Sequence, residues 1–171
     1  MRVGFLALAM LALGMLALTV LALATALATG QAVACERYPQ PPLPTAEVVV
    51  QSAGGDRAIT AELATTDEQR GCGLMGRPAL APDRGMLFDM RPPGPAFFWM
   101  DNTPEPLDML FADPTGVIIH IEHDAVPLSR RVRGTRKAVA AVLELAGGSA
   151  RRLGIRLGDR IVLPWAKAQR P

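Results

Sequence analysis

The stretch FFWMDNTPEPLDMLF, Phe97 to Phe111, decides how the rest of the chain is read. It holds four of the seven aromatic residues that follow the N-terminal segment, together with two Met, two Pro, one Asn and three acids. Alternate side chains of a strand point to opposite faces. Phe97 and Trp99 therefore share one face of FFWM, and Phe98 and Met100 share the other. Both faces are apolar, so the expectation is a strand buried on both sides. Asp101-Asn102-Thr103 then turns the chain, Pro104 and Pro106 fix two φ angles, and LDMLF re-enters the core. Asn and Asp in such turns bond to nearby backbone, so a hard turn between two core strands is the plain reading. The functional reading is that Trp99, Asn102, Thr103 and Asp108 line a pocket for a small polar ligand.

Outward from this stretch the body continues as short strands between Gly, Pro and Asp turns. AEVVVQS (46–52) and RAITAEL (57–63) flank Ser-Ala-Gly-Gly-Asp as a hairpin. Thr65 with Glu68 suits a capping box, so 66–72 reads as a short helix. GMLFDM (85–90), PAFFWM (95–100) and LDMLFA (107–112) are short apolar runs typical of buried strands. GVIIHIEH (116–123), AVAAVLEL (138–145) and GDRIVLP (158–164) add three more, AVAAVLEL being apolar throughout and also compatible with a helix, and Ser149 suits the cap of a second short helix. No long helices alternate with the strands, so a doubly wound sheet is excluded. The expectation is a mainly β fold: a small β-barrel-like or sandwich domain of seven or eight short strands with two short helices.

The N-terminus reads differently. Arg2 precedes an apolar run from Val3 to about Thr29, and Ala32-Val33-Ala34 has the small-residue form of a cleavage site. Residues 1–34 are expected to be a signal peptide or, because the run is also long enough to span a bilayer, an N-terminal anchor. Cys35 directly after Ala34 also admits lipidation. Each reading exports the body to the periplasm or beyond, with membrane association through residues 3–29 if they are retained. Residues 35–44 hold four Pro and form a semi-rigid spacer. Residues 45–164 form a single β-rich domain large enough to bury a core, and 165–171 a C-terminal tail. The eighteen Lys and Arg less Arg2 leave seventeen against sixteen acids. A near-neutral exported body is a poor match for nucleic acid. Cys35 and Cys72 could pair in an oxidising compartment, but a flexible terminus and a Gly-flanked helix end favour two unpaired thiols.

Three segments resemble one family in order. RGCGLMGRPALAPDRGMLFDM is similar to its GLM-x-R…GMLF block, FFWMDNTPEPLDMLFAD to its FWM-x-NT-x-x-PLD block, and AVLELAGGSARRLGIRLGDRIVL to its closing LEL…G…GI…GD segment. The family is the domain of unknown function 192, and the resemblance covers residues 46–163. It implies a small, mainly β domain, often exported, with no activity attached. Arg77 stands at the Arg of GLM-x-R and joins Trp99, Asn102, Thr103 and Asp108 as a candidate ligand residue; it is expected to pair with Asp108 or Glu144.

Other chemistries have less to support them. Asp101, Glu105, Asp108 and Glu144 admit a carboxylate-based hydrolase, which needs two carboxyls across a cleft. His120 and Glu122 share a strand face with His123 opposite, short of the ligands a metal needs. The body methionines (Met75, Met86, Met90, Met100 and Met109) lack the dense spacing of a copper site, and Met is an ordinary core filler. Neither a metal nor a cofactor is expected. SRRVRGTRK (129–137) carries five basic groups in nine residues and reads as a solvated loop, or as a patch for anionic headgroups or polymers. The reading that results is a non-enzymatic exported binding module for a polar ligand or envelope component. The alternatives are the hydrolase and a structural or partner-binding module without a pocket, and the oligomeric state is left open.

Overall fold

The computed structural model describes Cys35 and residues 37–165. The proposed signal or anchor segment and residues 166–171 of the tail lie outside the described residues. No helix among the described residues is long and apolar enough to cross a membrane.

Seven strands form one sheet: β1 (Thr45–Gln51), β2 (Arg57–Ala64), β3 (Arg84–Phe98), β4 (Leu107–Ala112), β5 (Ile118–Ala125), β6 (Arg133–Ala146) and β7 (Arg160–Val162). Two short helices, α1 (Asp67–Cys72) and α2 (Ser149–Leu153), interrupt them. The spatial order is β5-β4-β6-β3-β2-β1-β7. All pairs are antiparallel except β2 with β3. The sheet curls into a half-barrel, and its outermost strands approach each other at one end. There Ile118 N donates to Asp159 O, Ile161 N to Gly116 O, and Val117 bridges Arg160. A mainly β, barrel-like domain with two short helices is therefore what the described residues form.

Two apolar layers hold the sheet. One lies inside the curl, where all seven strands contribute: Val48, Val50, Ile59, Ala61, Leu87, Leu110, Ile118, Leu143 and Ile161 among others, with Ala150 and Ile155 from the α2 region. The other lies on the outer face of the central strands. It contains Met86, Phe88, Met109, Phe111 and Val142, covered by Leu74 and Met100. Phe98 closes over this layer, edge-on to Phe88 at 5.1 Å and to Phe111 at 5.7 Å. LDMLFA is buried at every position because β4 lies between β5 and β6 with core on both faces.

Several local expectations change. GMLFDM and PAFFWM are not two strands but one, β3, broken by register shifts around Gly94. The pairing explains this. β2 accompanies β3 only as far as Phe88, and β4 accompanies β6 only from Ala141, so beyond those points β3 and β6 continue as a two-stranded ribbon. For the same reason FFWM is not buried on both sides: Phe98 and Met100 face the core, while Phe97 and Trp99 face outward and are about half exposed. The capping box sits one residue later than expected. Thr66 accepts from Gln69 N, and the Gln69 side chain accepts from Thr66 N. Gly148, not Ser149, caps α2; the Ser149 hydroxyl accepts from Arg152.

The two cysteines are paired: Cys35 and Cys72 form a disulfide, against the expectation of free thiols. Sequence spacing concealed this because residues 37–44 do not run free of the body. The Gln40 amide is buried and donates to Gln69 O at 3.1 Å and Gly73 O at 2.8 Å. Leu43 N donates to Glu62 at 2.7 Å. These contacts lay the proline-rich segment against α1 and bring Cys35 to Cys72.

Candidate functional site

The candidate residues fall into two neighbouring groups joined by the backbone. Gly76 N donates to Asn102 O at 2.7 Å, which ties the loop after α1 to the 101–103 turn. Asn102 adopts φ 53°, the left-handed conformation that Asn tolerates better than most residues. Its side-chain amide is half-buried and makes no hydrogen bond to any described residue. Thr103 is buried, and its hydroxyl donates to Asp101 O at 3.2 Å. Asp101 in turn accepts from Arg130 at 3.0 Å.

Asp108 is fully buried on the inner face of β4. One carboxylate oxygen accepts from Asp124 N at 2.8 Å and the other from Ala150 N at 2.7 Å. The second bond satisfies an amide in the first turn of α2, which has no intrahelical partner. Asp108 thus fastens the β5 end and the α2 start to β4. His123 Nδ1 stands 4.0 Å away.

Arg77 does not reach Asp108 or Glu144. Its two terminal nitrogens bond Glu62 at 3.1 and 3.2 Å, and one of them also bonds Pro41 O at 3.0 Å. The expectation failed because Arg77 lies over β2, which presents Glu62 to it, while β3 stands between Glu62 and Glu144 and Asp108 faces the inner side of the sheet. Arg77 Nε is the one buried side-chain polar atom among the described residues with no partner. Beside this pair lies a hollow of about 250 Å³, whose polar lining comes from Thr60, Glu62, Arg77 and Arg84 and whose apolar lining includes Leu74 and Leu80. A broader depression borders His123 and Arg151. Neither is lined by Trp99, Asn102, Thr103 or Asp108.

Glu144 occupies the middle of one cross-strand row, Glu62–Met86–Glu144–Met109–Glu122. The outer acids have cations: Glu62 has Arg77, and Glu122 has the buried Arg133 at 3.2 Å. Glu144 is buried with no cation in ion-pair reach among the described residues, and burial pushes its carboxyl up to about 8. It faces the outer layer, whereas Asp108, opposite Leu145 in the register, faces the inner one. These two carboxyls are therefore on opposite sides of the sheet and do not flank one cleft. Among the described residues no three His, Cys, Asp or Glu side chains converge on a metal position. His120 packs on Phe111, ring centroids 5.1 Å apart.

Sequence reasoning missed Glu62 and Arg84. Glu62 could have been found as an acid on the exposed side of an alternating strand facing the GLM-x-R arginine. Arg84 carried no signal, since an arginine at the start of a strand is common.

Comparison with known proteins agrees with this picture at the level of fold and family. The profile of DUF192, described as Uncharacterized ACR, matches residues 48–163. No functionally curated protein matches the chain. A Sinorhizobium meliloti 1021 crystal structure, described as that of a proposed transcription regulator, is 43% identical with a TM-score of 0.69; the match covers 71% of this chain and 95% of that one. A Novosphingobium aromaticivorans DSM 12444 protein of unknown function is 35% identical with a TM-score of 0.70, covering 79% of this chain and 99% of that one. With its profile matched across nearly the whole β body, the chain belongs to the uncharacterised DUF192 family.

Proposed function

We propose that the chain is an exported, non-enzymatic binding module that takes a small polar ligand bearing an acidic group. The observation that carries this reading is the hollow beside Arg77. Two guanidiniums, Arg77 and Arg84, line it with one carboxylate, Glu62, so its lining keeps a positive excess. Thr60 adds a hydroxyl, while Leu74 and Leu80 supply apolar walls. A few polar groups converging in a partly apolar concavity is the usual form of a small-ligand site. A carboxylate or sugar-acid group matches the donors of a guanidinium. Asn102 does not line the hollow; its carbonyl accepts from Gly76 N and so ties the loop that carries Arg77 to the 101–103 turn. Asp108 and Thr103 contribute by holding the turn and strand in place.

Export is supported by the signal-like N-terminus and by the Cys35–Cys72 disulfide, since such bonds persist in oxidising compartments. The disulfide also occupies the thiol that lipidation at Cys35 would require.

The test is a thermal-shift series with carboxylated sugars, cell-wall fragments and neutral sugars, because a ligand of the native state raises its melting temperature. An acid-bearing compound is expected to raise it in the wild type and not in Arg84→Gln. Equal shifts in both proteins, or no shift from any acid-bearing compound, refute the site. Mass analysis of the envelope form, expected to begin at Cys35, tests export.

A further inference from the structure

The ribbon formed by the far ends of β3 and β6 has an inner face in the core and an outer face that no described residue covers. Phe97 is 53% exposed, Trp99 48%, Leu128 63% and Val132 61%. They are neighbours. Phe97 pairs with Gly134 and Phe98 with Arg133, so Trp99 and Val132 are the residues that leave the ribbon just beyond its last pair. Met100 N donates to Ser129 O at 2.9 Å and Leu128 N to Thr103 O at 3.0 Å, which lays the 126–132 loop beside the same strand end. Arg131, Arg136 and Lys137 are exposed around these residues, and none meets a carboxylate among the described residues. Arg130, also exposed, bonds Asp101.

Apolar side chains gathered on a surface mark an interaction site more often than chance exposure. The patch is an outward face rather than a hollow, so it suits a surface. Its cations lack acids to neutralise them, so that surface should be negative. Trp and Phe settle at the boundary between headgroups and acyl chains, and Lys or Arg beside them are drawn to anionic lipid. The chain enters the described body at the same end: Cys35 is bonded to Cys72, and the loop after that helix is bonded to Asn102, three residues from Trp99. We propose that Phe97, Trp99, Leu128 and Val132, rimmed by Arg131, Arg136 and Lys137, form a docking face for an anionic phospholipid bilayer. This face is separate from the hollow beside Arg77 and stands without it.

The test uses the chain beginning at Cys35. That portion contains the disulfide and both apolar layers, and the Sinorhizobium relative is a solved chain matched over 95% of its length by 71% of this one. The protein is expected to sediment with vesicles of phosphatidylcholine and phosphatidylglycerol at low salt, and to be released by high salt or when phosphatidylcholine is used alone. Each cation near an anionic surface raises binding about fivefold, so joint replacement of Arg131, Arg136 and Lys137 by Gln should lower it about a hundredfold. Phe97→Ser with Trp99→Ser should lower it at least about tenfold, since two large rings leave the interface. These side chains are at least half exposed or nearly so, and the melting temperature should hold. In a Trp165→Phe background, brominated acyl chains should quench Trp99 emission. Equal sedimentation with neutral and anionic vesicles, unquenched Trp99, or binding unchanged in the Gln variant would each overturn the proposal. So would displacement of the protein from vesicles by duplex DNA at lower concentration than by phosphatidylglycerol, or patch variants that only turn a dimer into a monomer.

Discussion

Replacing Glu144 by Gln should stabilise the protein, and the gain should depend on pH in a set way. Glu144 lies between Met86 and Met109 on the central strands, buried and without a cation among the described residues. In the unfolded chain its carboxyl titrates near the ordinary 4.5; in the fold, burial raises that to about 8. Below pH 4.5 both states hold the proton and the group contributes no pH dependence. Between 4.5 and 8 the unfolded chain ionises while the fold must keep the proton, so stability falls as pH rises; above 8 it levels off. The span from 4.5 to 7 corresponds to about 3 kcal/mol, and the full shift to about 5 kcal/mol. Gln has the same shape and needs no proton. The difference between variant and wild type in urea unfolding should therefore be small at pH 4.5 and reach about 3 kcal/mol at pH 7. Parallel stability curves across this range would refute the reasoning and place Glu144 in contact with water or a cation.

Four further outcomes follow from the contacts. Cys72→Ser opens a link between residues 37 positions apart and should cost about 3–4 kcal/mol of unfolding free energy, with wild type under reductant matching the variant. Asp108→Ala removes the acceptor of two backbone amides, one of them buried, and should cost about 3 kcal/mol or more by denaturant titration, with exchange protection lost first at Asp124 and Ala150. Gly116 has φ 85°, and an added Cβ would stand 2.3 Å from Ile161 O, so Gly116→Ala should break the contact between the sheet's outer strands and cost more than about 2 kcal/mol, read as a lower melting temperature. Burial alone would raise the Asp89 carboxyl, but Arg91, donating from Nε at 2.8 Å, and the charge of Arg70 hold it below the usual range. Asp89 therefore adds stability above the unfolded carboxylate pKa that is lost as pH falls through its folded one, and Asp89→Asn should weaken that acid-side slope in a pH series of melting curves.

Much of the architecture was legible because it follows from short-range patterning. The alternation in RAITAEL placed Ile59 and Ala61 inside. The unbroken apolar run of LDMLFA announced a buried strand, and AVAAVLEL read as a strand whose central place only the pairing reveals. The candidate site was less legible. Asp108 could be read as an acceptor for backbone donors, but which amides it receives depends on β5 and α2 arriving beside it. Arg77 was marked by its motif, yet its partner is set by the parallel pairing that stands β2 next to β3. The protonated Glu144 looked in sequence like any acid in a strand.

By itself the sequence determined which segments are strands, where the turns lie and which family the chain joins, because hydrophobic period, Gly and Pro act over a few residues. Only the tertiary structure decided what lies across from what. It made one long ribbon of two apparent strands and left Phe97 and Trp99 outside, because β2 and β4 end before them. It joined Cys35 to Cys72 because the proline-rich segment packs on α1. It gave Arg77 to Glu62 and left Glu144 without a cation among the described residues, because register across five strands sets such contacts and no local pattern encodes it.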